Sequence, residues 1–416
     1  MNRRIAWAGV ALSTLGILVA TLQPSGTTLA PGWSFDLSSG ESAIADLIAN
    51  LLLFIPLGAC LVLAGVRPLR AILLGAALSF SVEFSQQWIP GRDPSVGDVI
   101  ANTTSTAIGV ALVLALPRAL HATPQQSGWQ ALGIAIAAIV VWSITGILTR
   151  PIFPPAPYWD VWTPNWDHWG LYRGKVLGAR LDGIKLSQSI VDTADPHSAP
   201  PDLLLKTGQS LQVTAVWPAR PPHRKSPLVA LLDRDTTKVL ILAADGTDLM
   251  VRYYSQAIAL RMEQPASRWR HALARLAPQD TFLVQTWRGE RGICLSVNSE
   301  RSCGYGHTIG EGWELIYYPE HFPAWLYALL DMTWIAGWVV GIGYGTLQAG
   351  RTPLWYAAAA IVVAGLAVVP MVTGLKTTPI VEWLGAAIGL AGPLVVRKVA
   401  TLRSRQSGFK MPARSF

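Results

Sequence analysis

The sequence predicts a multi-pass α-helical membrane protein with an all-β sandwich inserted between its fifth and sixth helices, outside the membrane. Three observations carry that class. First, the 416-residue chain is 51% hydrophobic and only 14% charged, with a mean hydropathy of +0.35, whereas soluble domains carry about 25% charged residues. Second, about eight apolar runs approach the ~20 residues needed to cross a bilayer. Third, residues 150–323 contain no such run and instead show short alternating segments separated by turn residues.

The expected spans are 5–22, 44–65, 69–88, 96–117, 129–149, 324–348, 354–373 and 379–396. An unpaired backbone cannot sit in lipid, so each must be a helix. Lys and Arg set the orientation. Arg3, Arg4, Arg67, Arg70, Arg118 and Arg351 fall on one side of an eight-span chain. So do Arg397, Lys398, Arg403, Arg405, Lys410 and Arg414 of the tail. The opposite short loops hold mainly Arg92, Arg150 and Lys376. Both termini are therefore expected in the cytoplasm and residues 150–323 outside. A second reading of the first run is a cleaved signal peptide, with Thr28 to Ala30 as a poor processing site.

The expected domains are a helical membrane domain at 1–122, a fifth helix with linker at 123–154, the β-sandwich at 155–320, a three-helix segment at 324–400 and a basic cytoplasmic tail at 401–416. The formal net charge is +8, but no basic stripe with interleaved aromatics appears, so nucleic acid is not an expected partner. The lipid bilayer is.

Within the outer segment, "SLQVTAVW", "PLVALLDRD", "KVLILAAD", "DLMVRYY", "TFLVQTW" and "ICLSVN" read as strands. Cys294 and Cys303 flank a hairpin, and an oxidising exterior favours a disulfide between them. Cys60 lies in an apolar helix and reads as a packing residue. The stretch "YWDVWTPNWDHWG" brings Trp159, Trp162, Trp166 and Trp169 together. These aromatics either form a membrane-interface belt, the favoured reading, or stack on sugars. Asp167 and His168 have metal-ligand chemistry but no second pair at suitable spacing, so no metal and no cofactor is expected.

The order of these segments resembles the concanavalin A-like or laminin-G-like jelly roll over about residues 170–316, with Trp269 and His271 near a Trp-His-His position of that family. The resemblance is one of pattern. It implies carbohydrate binding.

The stretch "SVEFSQQWIPGRDPSVGDVIANTTSTAIG" (81–109) is unusually polar for a chain this apolar. Glu83, Gln86 and Gln87 fall in the last turns of one helix. Pro90-Gly91 breaks the chain, Asp93 or Ser95 can cap the next helix, and Asp98 and Asn102 share a face of it. The two helices make an antiparallel hairpin, so these groups and Arg92 can converge near the outer leaflet. A lone carboxylate in the membrane costs ~2.5–3.5 kcal/mol or more, and Arg92 is the expected counter-ion. The alternatives are a structural clasp or a hairpin tip in water.

Together with "DLIANLLLFIPLGACL" (46–61), this stretch is similar to the VanZ-like family over about residues 1–120. The matching positions are Asn50, Pro56, Gly58, Glu83, Gln86 or Gln87, Arg92, Asp98, Asn102 and Gly109. Ser105 departs from a frequent Gly, a change expected to affect helix packing. The family includes membrane proteins that raise tolerance to the glycopeptide teicoplanin, so the resemblance implies a cell-envelope setting and leaves the reaction open. "KTTPIVEWLGAAIG" (376–389) echoes the spacing, with Lys376 and Glu382 placed like Arg92 and Asp98.

Two functions stand. One is a non-enzymatic envelope protein presenting a glycan-binding sandwich. The other is a membrane enzyme acting on a lipid-linked or polymeric envelope substrate through Glu83, Arg92 and Asp98. No Gly-x-Ser-x-Gly elbow, phosphate loop or His-Glu-x-x-His is present, so no catalytic residue is assigned. Transport ranks lower, because only one span shows a clear intramembrane carboxylate and no matched pair of interrupted helices appears.

Overall fold

The computed structural model describes residues 3–24, 32–35, 42–120, 123–154, 158–166, 169–186, 190–191, 208–263, 265–290, 292–318, 322–349 and 353–406. Six helices precede the β region: α1 (Arg3–Thr21), α2 (Ala43–Leu53), α3 (Ile55–Leu63), α4 (Pro68–Gln86), α5 (Val96–Leu120) and α6 (Pro124–Leu148). After a short α7 (Gln256–Ala259) inside the β region, α8 (Ala324–Ala349), α9 (Pro353–Thr373) and α10 (Ile380–Gln406) complete the chain. Among the described residues, 7 helices are long and apolar enough to cross a membrane, with α2 and α3 together forming one span. The apolar stretch Ile380–Val395 of α10 lies where the eighth span is expected.

Pro56 explains the break between α2 and α3. It has no N–H, so the helix ladder loses a bond there. The Phe54 N–H at the break donates to the Ser105 hydroxyl on α5 at 3.0 Å. Buried backbone donors in a membrane must find such a partner, and a glycine at 105 would supply none. The α3 and α5 backbones also touch. A Cβ on Gly58 would lie 2.2 Å from the Thr106 carbonyl oxygen, and one on Gly109 2.2 Å from that of Ile55. Small residues allow this approach, the usual way helices associate in lipid.

The β region is a two-layer sandwich of antiparallel sheets. One sheet has the order β4-β1-β6-β7-β8-β9, from β4 (Ile190–Val191), β1 (Tyr158–Trp162), β6 (Ser226–Leu232), β7 (Lys238–Asp245), β8 (Asp248–Tyr253) and β9 (Ser267–Trp269). The other has the order β12-β11-β10-β5-β2-β3, from β12 (Glu300–Tyr305), β11 (Gly292–Val297), β10 (Thr281–Gly289), β5 (Ser210–Val216), β2 (Lys175–Leu181) and β3 (Ile184–Leu186). Val213, Ala215, Phe282, Val284 and Leu295 of one sheet meet Leu228, Leu231, Leu240, Leu242 and Val251 of the other. Cys294 and Cys303 face each other across β11 and β12 and form a disulfide.

β6 and β7 are buried along nearly their whole length, so they lack the in–out alternation of a one-sided sheet. Their outer face carries Ala230, Ile241 and Ala243, joined by Met250 of β8. Trp166 and Trp169 cover it. Lys238 sits 5.3 Å over the Trp166 ring and Lys225 4.9 Å over Trp169. Trp159 and Trp162 lie in β1, and the Trp162 indole N–H donates to Asp160. Trp166 and Trp169 are thus a lid on the sheet. Asp167, His168 and the segment Thr28 to Ala30 lie outside the described residues.

The sandwich sits on one end of the helices. The Arg261 carbonyl accepts the Ile44 N–H at 2.9 Å and the Ala45 N–H at 3.3 Å, satisfying orphan donors at the start of α2. The Tyr254 carbonyl takes the Ile152 N–H at 3.0 Å, just after α6. The His307 carbonyl takes that of Lys376 at 2.8 Å, just before α10. The loop at Pro94 and Val96 is on the same end, paired with Ser34.

Candidate functional site

The hairpin of α4 and α5 brings most of the expected polar residues together. Ser95 caps α5: its hydroxyl accepts the Gly97 N–H at 3.0 Å. Its own N–H donates to Glu83 Oε2 at 2.9 Å, so Glu83, only 2% exposed, ties the end of α4 to the start of α5. Asn102 donates from Nδ2 to the Ser79 hydroxyl at 3.1 Å. The Asn50 side chain hydrogen-bonds the Asp98 carboxylate, bringing α2 into the cluster.

Arg92 behaves differently from the expectation. No ion pair joins it to Glu83 among the described residues. Its guanidinium donates instead to the carbonyls of Gln23 at 2.9 Å and Ala20 at 3.0 Å. Gln86 donates to the neighbouring Thr21 carbonyl at 3.1 Å. These carbonyls lie at the C-terminal end of α1, where the helix runs out of its own donors and favours a cation. The charge of Arg92 still acts on Glu83 and Asp46, but its hydrogen bonds go to backbone acceptors, which leave no trace in a sequence pattern. Gln87, half-buried, follows Gln86 at the C-cap of α4.

Asp46 belongs to this neighbourhood and was not singled out from the sequence. It accepts a long 3.4 Å contact from the Ser42 hydroxyl and interacts electrostatically with Arg92 and Asp98. Glu263 of the sandwich approaches Ser42 and Asp46 from the other side, and burial raises its carboxyl pKa. Its hydrogen bond with Ser42, next to Asp46, ties the sandwich to the start of α2.

A second polar region lies where the sandwich meets α6, α8, α9 and α10. Part of it is a cavity of about 860 Å³, within the range of small-molecule sites. Arg150, Arg288, Lys376, Tyr253 and Tyr305 are among its walls. Tyr305, Gly306, His307 and Lys376 also border an adjoining cavity of about 320 Å³. That second space is acidic, with Glu311, Glu314 and Asp331. Glu311 and Glu314 lie on the 3-10 turn Gly310–Leu315. Burial, then the charges of Glu311 and Asp331, pushes the Glu314 carboxyl well above its ordinary pKa.

The sequence offered one missed signal here. Asp331 and Glu382 are buried carboxylates within apolar helices, so the expectation of a single intramembrane carboxylate was wrong. Each stands alone in its apolar run, which is the pattern that should have raised the question.

No curated protein and no solved structure is significantly similar to this chain. Residues 10–117, about a quarter of the chain, match the VanZ/LLP1 family, and this helical segment is a VanZ-like domain.

Proposed function

We propose that the chain is a cell-envelope membrane protein that binds an anionic glycan or glycolipid headgroup, without transforming it, between its outer sandwich and the ends of its helices. The observation that carries this is the cavity of about 860 Å³ under the sandwich. Arg150, Arg288 and Lys376 offer positive charge to carboxylate or phosphate groups, and Tyr253 and Tyr305 offer flat apolar faces. Lys and Arg concentrate in the loops opposite the sandwich, which supports cytoplasmic termini and an extracytoplasmic residue 150–323 segment. A sandwich of concanavalin A-like, jelly-roll type is in keeping with a glycan ligand. The VanZ-like domain then serves as the anchor, and glycopeptide tolerance is one phenotype such binding would produce.

The enzymatic reading through Glu83, Arg92 and Asp98 has less support. Glu83 is occupied by the Ser95 N–H and Arg92 by the end of α1, an arrangement that suits a clasp.

The test uses the full chain in lipid nanodiscs, titrated with acidic envelope polysaccharides and with polyprenyl-phosphate-linked sugars. Micromolar binding that weakens at least tenfold in Lys376→Ala and Arg150→Ala supports the proposal. A flat titration with every probe, or undiminished binding by both variants, overturns it.

A further inference from the structure

The acidic side of the junction has a geometry that glycan binding does not explain. One ligand atom each of His307, Glu311 and Glu314 lies within 4.8 Å of the others. His307 Nδ1 is 3.3 Å from Glu311 Oε2. Ligands about 2.1 Å from a zinc ion at tetrahedral angles stand about 3.4 Å apart, so this pair already has the spacing of one edge of a coordination shell.

Glu311 Oε2 also accepts the Thr308 N–H at 3.1 Å, while its neighbours are more deeply buried. His307 is 6% exposed, and its Nε2 is buried without a hydrogen bond. Glu314 is equally buried. Glu382, at the start of α10, is 0% exposed. It meets the Thr308 hydroxyl and the Gly310 backbone of the same turn, and no Lys or Arg forms an ion pair with it among the described residues. A Cβ on Gly310 would come within 2.6 Å of Glu382 Oε1, so the turn is built to let this carboxylate in. Unpaired buried carboxylates are costly unless they are protonated or neutralised by a cation.

The nearby guanidinium groups are committed elsewhere. Arg268 is held by Asp245 at 2.8 Å and Asp248 at 3.1 Å. Arg270 donates to the Phe322 carbonyl at 3.2 Å and stacks over Tyr327. Asp331 is fixed as an acceptor of the Trp313 indole N–H at 2.8 Å. Among the described residues, Lys376 is the remaining cation on the wall of this cavity, against the carboxylates of Glu311, Glu314 and Asp331.

We propose that His307, Glu311 and Glu314 bind a divalent transition-metal ion of the zinc and manganese class, with Asp331 and Glu382 balancing its charge from α8 and α10. One imidazole with two carboxylates suits these ions better than calcium or magnesium, which prefer oxygen alone. Three protein ligands leave a position open toward the adjoining cavity, as in zinc sites that bind water or substrate. The ion would also pin the 3-10 turn to the membrane helices. This inference stands apart from the glycan proposal, because the metal can bind with or without a glycan.

The experiment uses the full chain, purified in detergent without a polyhistidine tag, stripped with chelator and reloaded. Calorimetric titrations with zinc, manganese, calcium and magnesium are followed by metal analysis. The expected result is one zinc or manganese per chain at micromolar affinity or tighter. It includes a rise in the unfolding temperature on loading, and at least hundredfold weaker binding in His307→Ala and Glu314→Gln. Absence of zinc and manganese binding to the wild type, binding of calcium or magnesium alone, or full affinity in both variants overturns the proposal. Cobalt loading of the wild type keeps the question open to decision if a variant does not fold. A visible absorption band displaced by zinc supports the site, and no band counts against it.

Discussion

Glu83 and Glu382 are both buried glutamates in apolar helices beside the loop that joins two spans, and their surroundings differ. Glu83 receives the Ser95 N–H from the next helix, so its charge closes a hairpin within one domain. Glu382 has no ion-pair partner among the described residues and meets Thr308 and Gly310 of a turn contributed by the inserted sandwich. The two loops start from similar spacing, Arg92 with Asp98 and Lys376 with Glu382, but the helices beside them pack differently. α4 packs on α5, while α9 packs mainly on α6 and α10 on α8. A carboxylate whose partner is intramolecular reads as structure. One left unpaired by its own helices reads as a site, and the sandwich supplies the groups that complete it.

The comparison breaks first at the helix crossings. Gly109 crosses α3, and Gly385 crosses α8, where a Cβ would lie 2.4 Å from the Met332 carbonyl oxygen. Gly109→Val and Gly385→Val should each cost about 3 kcal/mol or more by overpacking, read as lost unfolding temperature in detergent. Tolerance of one alone would show that only one half depends on backbone contact.

Next come the glutamates. Glu83→Leu strands the Ser95 N–H and should destabilise by about 1–3 kcal/mol. Glu382→Leu in metal-free protein removes an unpaired carboxylate and should be neutral or stabilising. Unfolding with and without chelator measures both, and equal losses for the two would erase the distinction.

Arg92→Ala removes two charge-assisted bonds to the end of α1 and should cost about 1.5–3 kcal/mol, with α1 becoming the first helix cut in limited proteolysis. Protection equal to wild type would return Arg92 to the role of a counter-ion.

The last effect is one of pH, at Lys225 against the Trp169 ring. Burial, helped by the charge of Arg252, lowers its pKa from 10.5 to about 7. The unfolded chain binds this proton more tightly than the folded one, so the lysine penalises folding below about pH 7, and the penalty fades as pH rises towards 10.5. The stability gap between Lys225→Met and wild type should therefore narrow across that range. A gap independent of pH would show that Lys225 stays charged against the ring.

Much of the architecture was legible in the chain, because hydropathy and alternation are local. The segments "SLQVTAVW", "PLVALLDRD", "KVLILAAD", "DLMVRYY", "TFLVQTW" and "ICLSVN" fall on β5, β6, β7, β8, β10 and β11, and the Cys294–Cys303 hairpin closes as expected. "YWDVW" was read for its aromatic rings, yet it is a strand, β1, pairing with β6. Of the polar hairpin, Ser95 was one of two caps the spacing offered, and whether Glu83 and Asn102 face water or protein was left open until the structure buried both.

What the sequence alone determined was which segments enter the membrane, which form strands, and where polar groups interrupt apolar runs. Those follow from the solvation of each residue and the period of its own element. Tertiary structure decided that Arg92 serves the end of α1, that Trp166 and Trp169 roof a sheet, and that residues 307–314, 331 and 382 meet in one acidic cluster. The physical reason is that an ion or hydrogen-bond partner is chosen by approach through space, and helices far apart in the chain, such as α6 and α9, meet through packing that no local pattern encodes.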